Sequence, residues 1–98
     1  MTQVVYSPRA RADLLRLADF LVAENPRWAK EALGLIIGAI RVLESHPLIG
    51  RPWPESIMRE LVISRGRSGY LALYHYDSVA DIVTIHAVRH QREAGFVE

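Results

Sequence analysis

Arg59-Glu60-Leu61-Val62-Ile63, Ser64-Arg65-Gly66-Arg67-Ser68-Gly69 and Tyr70-Leu71-Ala72-Leu73-Tyr74-His75-Tyr76 form one continuous stretch, two apolar runs joined by an arginine, serine and glycine loop. Branched and aromatic residues suit extended chain, and glycine and serine suit the turn between. The stretch therefore predicts an antiparallel hairpin, which needs only a short link. Past a second turn at Asp77-Ser78-Val79-Ala80-Asp81, the run Ile82-Val83-Thr84-Ile85-His86-Ala87-Val88 predicts a further strand. A basic tail follows, Arg89-His90-Gln91-Arg92, and then Glu93-Ala94-Gly95-Phe96.

Upstream the period changes from two to nearly four. Gln3 to Tyr6 reads as a short strand, and Ser7-Pro8 as a helix start, where the serine caps free amides and the proline suits the first turn. Ala10, Leu14, Leu17, Ala18 and Leu21 form one helical stripe, with Arg9, Asp13, Arg16 and Glu24 expected largely off it. Arg9 and Asp13 are spaced to pair across one turn. Asn25-Pro26 repeats the cap and opens a second helix, with Ala29, Ala32, Leu33, Ile36, Ile37, Ile40 and Leu43 on its apolar face. Gly34 and Gly38 each cost a helix roughly 1 kcal/mol, so a close approach of the first helix or of a partner is expected there. His46-Pro47 closes the helix. Pro47, Gly50, Pro52 and Pro54 make the next segment an irregular loop, and Trp28 and Trp53 are expected to pack within the fold.

The order is thus β-α-α-β-β-β: an α+β fold, with a two-helix hairpin on one face of an antiparallel sheet. At 98 residues the chain is expected to be a single domain, 1–98. Half of the residues are apolar, so a core forms without staples, and the lack of cysteine excludes disulfides and thiolate metal sites. The longest apolar run, Ala32 to Ile40, falls well short of the roughly 20 residues a spanning helix needs. With no leader-like start, the expectation is a cytoplasmic protein that uses no membrane, metal or cofactor. In the strand Tyr70–Tyr76 both alternating sets are apolar, as they largely are in the last strand. Two helices cover one sheet face, so the other face predicts a second polypeptide as its cover. Which set faces the helices stays open.

Net charge is only +1, yet Arg65, Arg67, Arg89 and Arg92 cluster in the loop and tail with few acids nearby. Lys30 is the single lysine among twelve basic residues. Planar guanidinium groups suit paired contacts to carboxylate or phosphate, and as solvated turn residues they would equally need no partner. A metal-independent ribonuclease needs a base, an acid and fixed positive charge within reach. Glu60, His75, His86, His90, Tyr74, Arg67 and Arg89 are the available groups, although His86 and His75 fit structural roles in a sheet as well.

The hairpin with its Arg-Ser-Gly-Tyr-like turn (Arg67-Ser68-Gly69-Tyr70), followed by a last strand and basic tail, resembles the RelE/ParE superfamily of toxins, and in particular its ParE branch. In RelE-type RNA cutters the resemblance would place lysines at Glu60 and Val62, an arginine at Leu71, another near Gln91, and a tyrosine in the tail. This chain lacks the lysines and the first arginine; Gln91 falls near the second arginine's place with Arg89 and Arg92 flanking it, and Phe96 is the tail's only aromatic. A phenylalanine has no proton to give and a leucine holds no phosphate. Resemblance to ParE implies a toxin that arrests growth by inhibiting DNA gyrase, in plasmid stabilisation or similar settings. It also implies a cognate antitoxin with a ribbon-helix-helix DNA-binding end. On that reading Arg65, Arg67, Arg89, His90 and Arg92 contact the target, and Leu71, Leu73, Gly34 and Gly38 contact the antitoxin. Two alternatives stand beside it. One is a ribosome-dependent mRNA endonuclease using His75, His90, Arg67 and Arg92; the other is a non-toxic paralogue that only binds its antitoxin.

Overall fold

The computed structural model describes residues 1–65 and 68–90. Strand β1 (Gln3–Tyr6) leads into helix α1 (Pro8–Glu24), helix α2 (Pro26–Arg41) and a 3-10 turn (Val42–Glu44). Strands β2 (Arg51–Pro52), β3 (Arg59–Arg65), β4 (Ser68–Asp77) and β5 (Ile82–His90) complete the order. Both caps form as the sequence predicts. The Ser7 hydroxyl accepts from the Ala10 amide at 3.0 Å, and the Asn25 side chain from the amides of Arg27 and Trp28 at 3.0 and 3.4 Å. Each relieves amides that the first helical turn leaves unpaired.

The strands form a single five-stranded sheet ordered β1-β5-β4-β3-β2. The expected antiparallel sheet is in fact mixed, because β1 lies parallel to β5, with Val4 opposite Val83 and Tyr6 opposite Ile85. Its connection to β5 is the whole helical hairpin and the β3–β4 hairpin, a long-range pairing that no local pattern announces. The segment expected to be irregular contains β2, which pairs with β3 through Arg51 opposite Glu60.

Helix α1 lies across β5, while α2 packs on α1 and on β3. The core between helices and sheet contains Ala10, Leu17, Ile36, Ile40 and Leu43 from the helical side, with Ile63, Tyr70, Ala72, Tyr74, Val83, Ile85 and Val88 from the strands. That settles the alternation of β4: Tyr70, Ala72 and Tyr74 face the helices, and Leu71, Leu73 and His75 face away.

Two polar devices complete this inner face. Strand β1 covers the free edge of β5 only from Ile82 to Ile85. Beyond that point the start of α1 takes over. The Ser7 amide donates to the Ile85 carbonyl at 2.9 Å, and the Ser7 hydroxyl to the His86 carbonyl at 3.2 Å. Buried Asp13 accepts from the Val88 amide at 3.0 Å, and its other oxygen lies 3.8 Å from Arg16. Asp13 is therefore not the surface partner expected for Arg9 but an acceptor for a buried strand edge.

The second device pins the loop before β2. The Tyr74 hydroxyl donates to the Pro47 carbonyl and accepts from the Gly50 amide, both at 2.8 Å. Arg59, opposite Tyr74 in the β3–β4 register, donates to the Leu48 and Gly50 carbonyls at 3.1 and 2.8 Å. Gly50 is required here by space: a Cβ would lie 2.6 Å from the Tyr74 ring.

Candidate functional site

On the sheet face turned away from the helices, register sets the neighbours. Val62, Leu71 and Arg89 stand side by side in one row, and Glu60, Leu73 and Ala87 in the next. A bulge between Leu73 and Tyr74 leaves His86 and Ala87 together against Leu73. Such a bulge opposes two residues to one and sharpens the local twist. His75 follows, opposite Thr84, which is itself opposite Val5 of β1. Among the described residues no helix lies on this side. Leu71 and Leu73 are half-buried, and Val62 is 43% exposed.

The polar groups around this apolar strip differ in how far they are committed. Glu60, a candidate acid or base by sequence, is held by Arg51 at 2.8 Å. Tyr74, another candidate, is buried in the core with its hydroxyl engaged by the loop, and burial raises its pKa further above the phenol range. It is a structural residue. His86 is held toward its neutral form, first by burial and then by the neighbouring His75. At the opposite end of the sheet, Asp81 accepts from the hydroxyls of Thr2 at 2.6 Å and Tyr76 at 2.8 Å, and these bonds lower its pKa. That cluster pins β1 to the β4–β5 turn.

The structure separates the histidines proposed for RNA cutting. His90 lies opposite Tyr70 and packs edge-on against its ring, with centroids 5.3 Å apart, on the helix-facing side. His75 lies five residues along β4 from Tyr70, on the outer side. At about 3.4 Å per residue that is roughly 17 Å along the strand, too far for one acid–base pair. Arg89 shares the outer face with Leu71, whereas His90 does not. The side chain of Arg65, and all of Arg67, Gln91, Arg92 and Phe96, lie outside the described residues. Among the described residues no three His, Cys, Asp or Glu groups gather to hold a metal ion.

The two pairs of expected antitoxin contacts fall on different sides. Gly34 and Gly38 are exposed on α2, and no described residue lies within 4 Å of a Cβ built at either. Close packing of α1 is therefore not their reason. Trp28 is 63% exposed on the same helix, against the expectation that it packs inside. Val62, noted in the sequence only for not being a lysine, emerges as part of the outer apolar strip; its pairing opposite Leu71 was the signal, once a register is known.

Comparison with known proteins places these features in a family. A family model described as the ParE toxin of the parDE type II toxin–antitoxin system matches residues 4–95. Toxin RelE3 of Caulobacter vibrioides is 37% identical over 93 residues, covering 95% of this chain and 98% of that protein. A structure of the chromosomal ParDE toxin–antitoxin system of P. aeruginosa superposes with a TM-score of 0.74 at 22% identity, over 91% of this chain and 95% of its own. The RelBE2 toxin–antitoxin complex of Mycobacterium tuberculosis gives 0.63 at 25% identity, over 94% and 93%.

Proposed function

The chain belongs to the ParE toxins of type II toxin–antitoxin systems, and from that membership we propose that it arrests growth in the cytoplasm by binding DNA gyrase rather than by cutting RNA. The observation that carries the choice is the outer sheet face. At the positions where the resemblance to RNA cutters would place cations, the face presents Glu60, Val62 and Leu71, with Glu60 already paired to Arg51 and Arg89 beside Leu71 at the end of its row. Val62 and Leu71 give a phosphorane no stabilisation. The separation of His75 from His90 removes the acid–base pair that a substitute arrangement would use. Target contact falls to the basic rim, Arg89 with Arg65, Arg67, His90 and Arg92.

The same face favours a cognate antitoxin, carrying the ribbon-helix-helix end that the family resemblance implies, as the cover for Leu71 and Leu73. Gly34 and Gly38 lie on the far side of the helical layer, so an antitoxin using all four must wrap around the molecule. The β3 edge offers the shortest route, because α2 packs against that strand.

The rival reading, a ribosome-dependent endonuclease, draws on the name of the Caulobacter relative. One pair of assays separates them: gyrase supercoiling and cell-free translation, each titrated with the same purified chain. Loss of supercoiling with translation intact is expected. Cleaved messages with normal supercoiling would overturn the proposal, and inactivity in both assays would point to the non-toxic paralogue.

A further inference from the structure

We propose that His75 and His86 form a two-imidazole site on the outer sheet face for a borderline divalent cation of the Cu2+, Ni2+ or Zn2+ class. The first support is placement. His75 stands opposite Thr84, and His86 is the next outward position along β5. Diagonal neighbours on paired strands have Cβ atoms somewhat less than about 7–8 Å apart, within reach of two imidazoles closing on one ion. The bulge at Leu73/Tyr74 sets His86 on this face together with Ala87.

The second support is rigidity. The His86 carbonyl is held by the Ser7 hydroxyl, and the flanking Ile85 carbonyl and Val88 amide are held by the Ser7 amide and Asp13. His75 is paired with Thr84 of β5 within β4. A donor pair on fixed strands loses little freedom when it closes on an ion.

The third is chemistry. Neither imidazole hydrogen-bonds a described residue, so their ring nitrogens are uncommitted. Neutral imidazole is the ligand form, and burial holds His86 in it. Nitrogen donors select Cu2+, Ni2+ or Zn2+ over Mg2+ and Ca2+, which prefer oxygen. The remaining coordination positions stay open to water. The site does not depend on whether the target is gyrase or the ribosome.

The test is calorimetric titration of Ni2+ and Zn2+ into the tag-free full chain, beside the His75→Ala, His86→Ala and His46→Ala variants. One ion per chain is expected. Affinity should fall roughly tenfold or more in each of the first two, and stay unchanged in the third. Wild-type affinity in either site variant would overturn the proposal, as would loss in His46→Ala alone. If a site variant fails to fold, the wild-type chain still decides. Zn2+ should shield His75 and His86 from diethyl pyrocarbonate while His46 still reacts, and unshielded His75 and His86 would overturn the site.

Discussion

The two faces of one sheet are built from alternate residues of the same strands, yet they carry different jobs. On the inner face Tyr70, Ala72, Tyr74, Val83, Ile85 and Val88 meet the helices and are almost wholly buried. Polar groups brought in there are engaged: Asp13 accepts from the Val88 amide, and the Tyr74 hydroxyl bonds Pro47 and Gly50. On the outer face Leu71, Leu73 and Val62 are only partly covered, and His75 and His86 have no hydrogen bond to a described residue. The inner face stabilises the chain. The outer one has no covering helix among the described residues.

Substitutions sharpen this contrast in order of size. Ile40→Ala, at a fully buried core position, should cost about 2–5 kcal/mol in chemical denaturation. Next comes the loop latch. Gly50→Ala drives a methyl into the Tyr74 ring, and Tyr74→Phe strands a buried amide, so each should cost about 1–3 kcal/mol. Should both latch variants unfold like wild type, the inner polar devices would be incidental.

Outside the core the sign reverses. Gly34→Ala and Gly38→Ala meet open space and should stabilise the free chain by about 0.5–1 kcal/mol each. Lower thermal midpoints for them would mean that α2 carries a constraint not described above. The smallest effect is on pH. His86 has a depressed folded pKa, so below its ordinary value near 6.5 the unfolded chain takes up the proton more readily. Stability should decline as pH falls through that value and level off below the folded pKa. His86→Gln should flatten this part of a melting-temperature profile.

The sequence made the helices readable because their signals are local: Ser7-Pro8, Asn25-Pro26 and the apolar stripes stand within one or two turns. The hairpin was equally readable from its runs and loop. The faces of β4 were not, because both of its alternating sets are apolar and only contact with the helices separates them. The parallel pairing of β1 with β5 depends on chain returning from the far end of the sequence. Asp13 carried a signal that composition hides. Three residues after Ala10 and four before Leu17, it sits inside the apolar stripe, where an acid needs a buried donor. For the candidate site, Leu71 and Leu73 were readable as an apolar pair needing a cover. The placement of His75 and His90 on opposite faces, and the partnership of Glu60 with Arg51, required the register.

The account turns on the outer face requiring a second polypeptide. Its most direct test is calorimetric titration of the cognate antitoxin into the wild-type chain and a Leu71→Ser/Leu73→Ser variant. The variant should lose roughly a hundredfold or more in affinity, about 2.7 kcal/mol, while the free chain remains folded with a circular dichroism spectrum like that of the wild type. Wild-type affinity in the folded variant would show that the antitoxin binds elsewhere and would contradict the account.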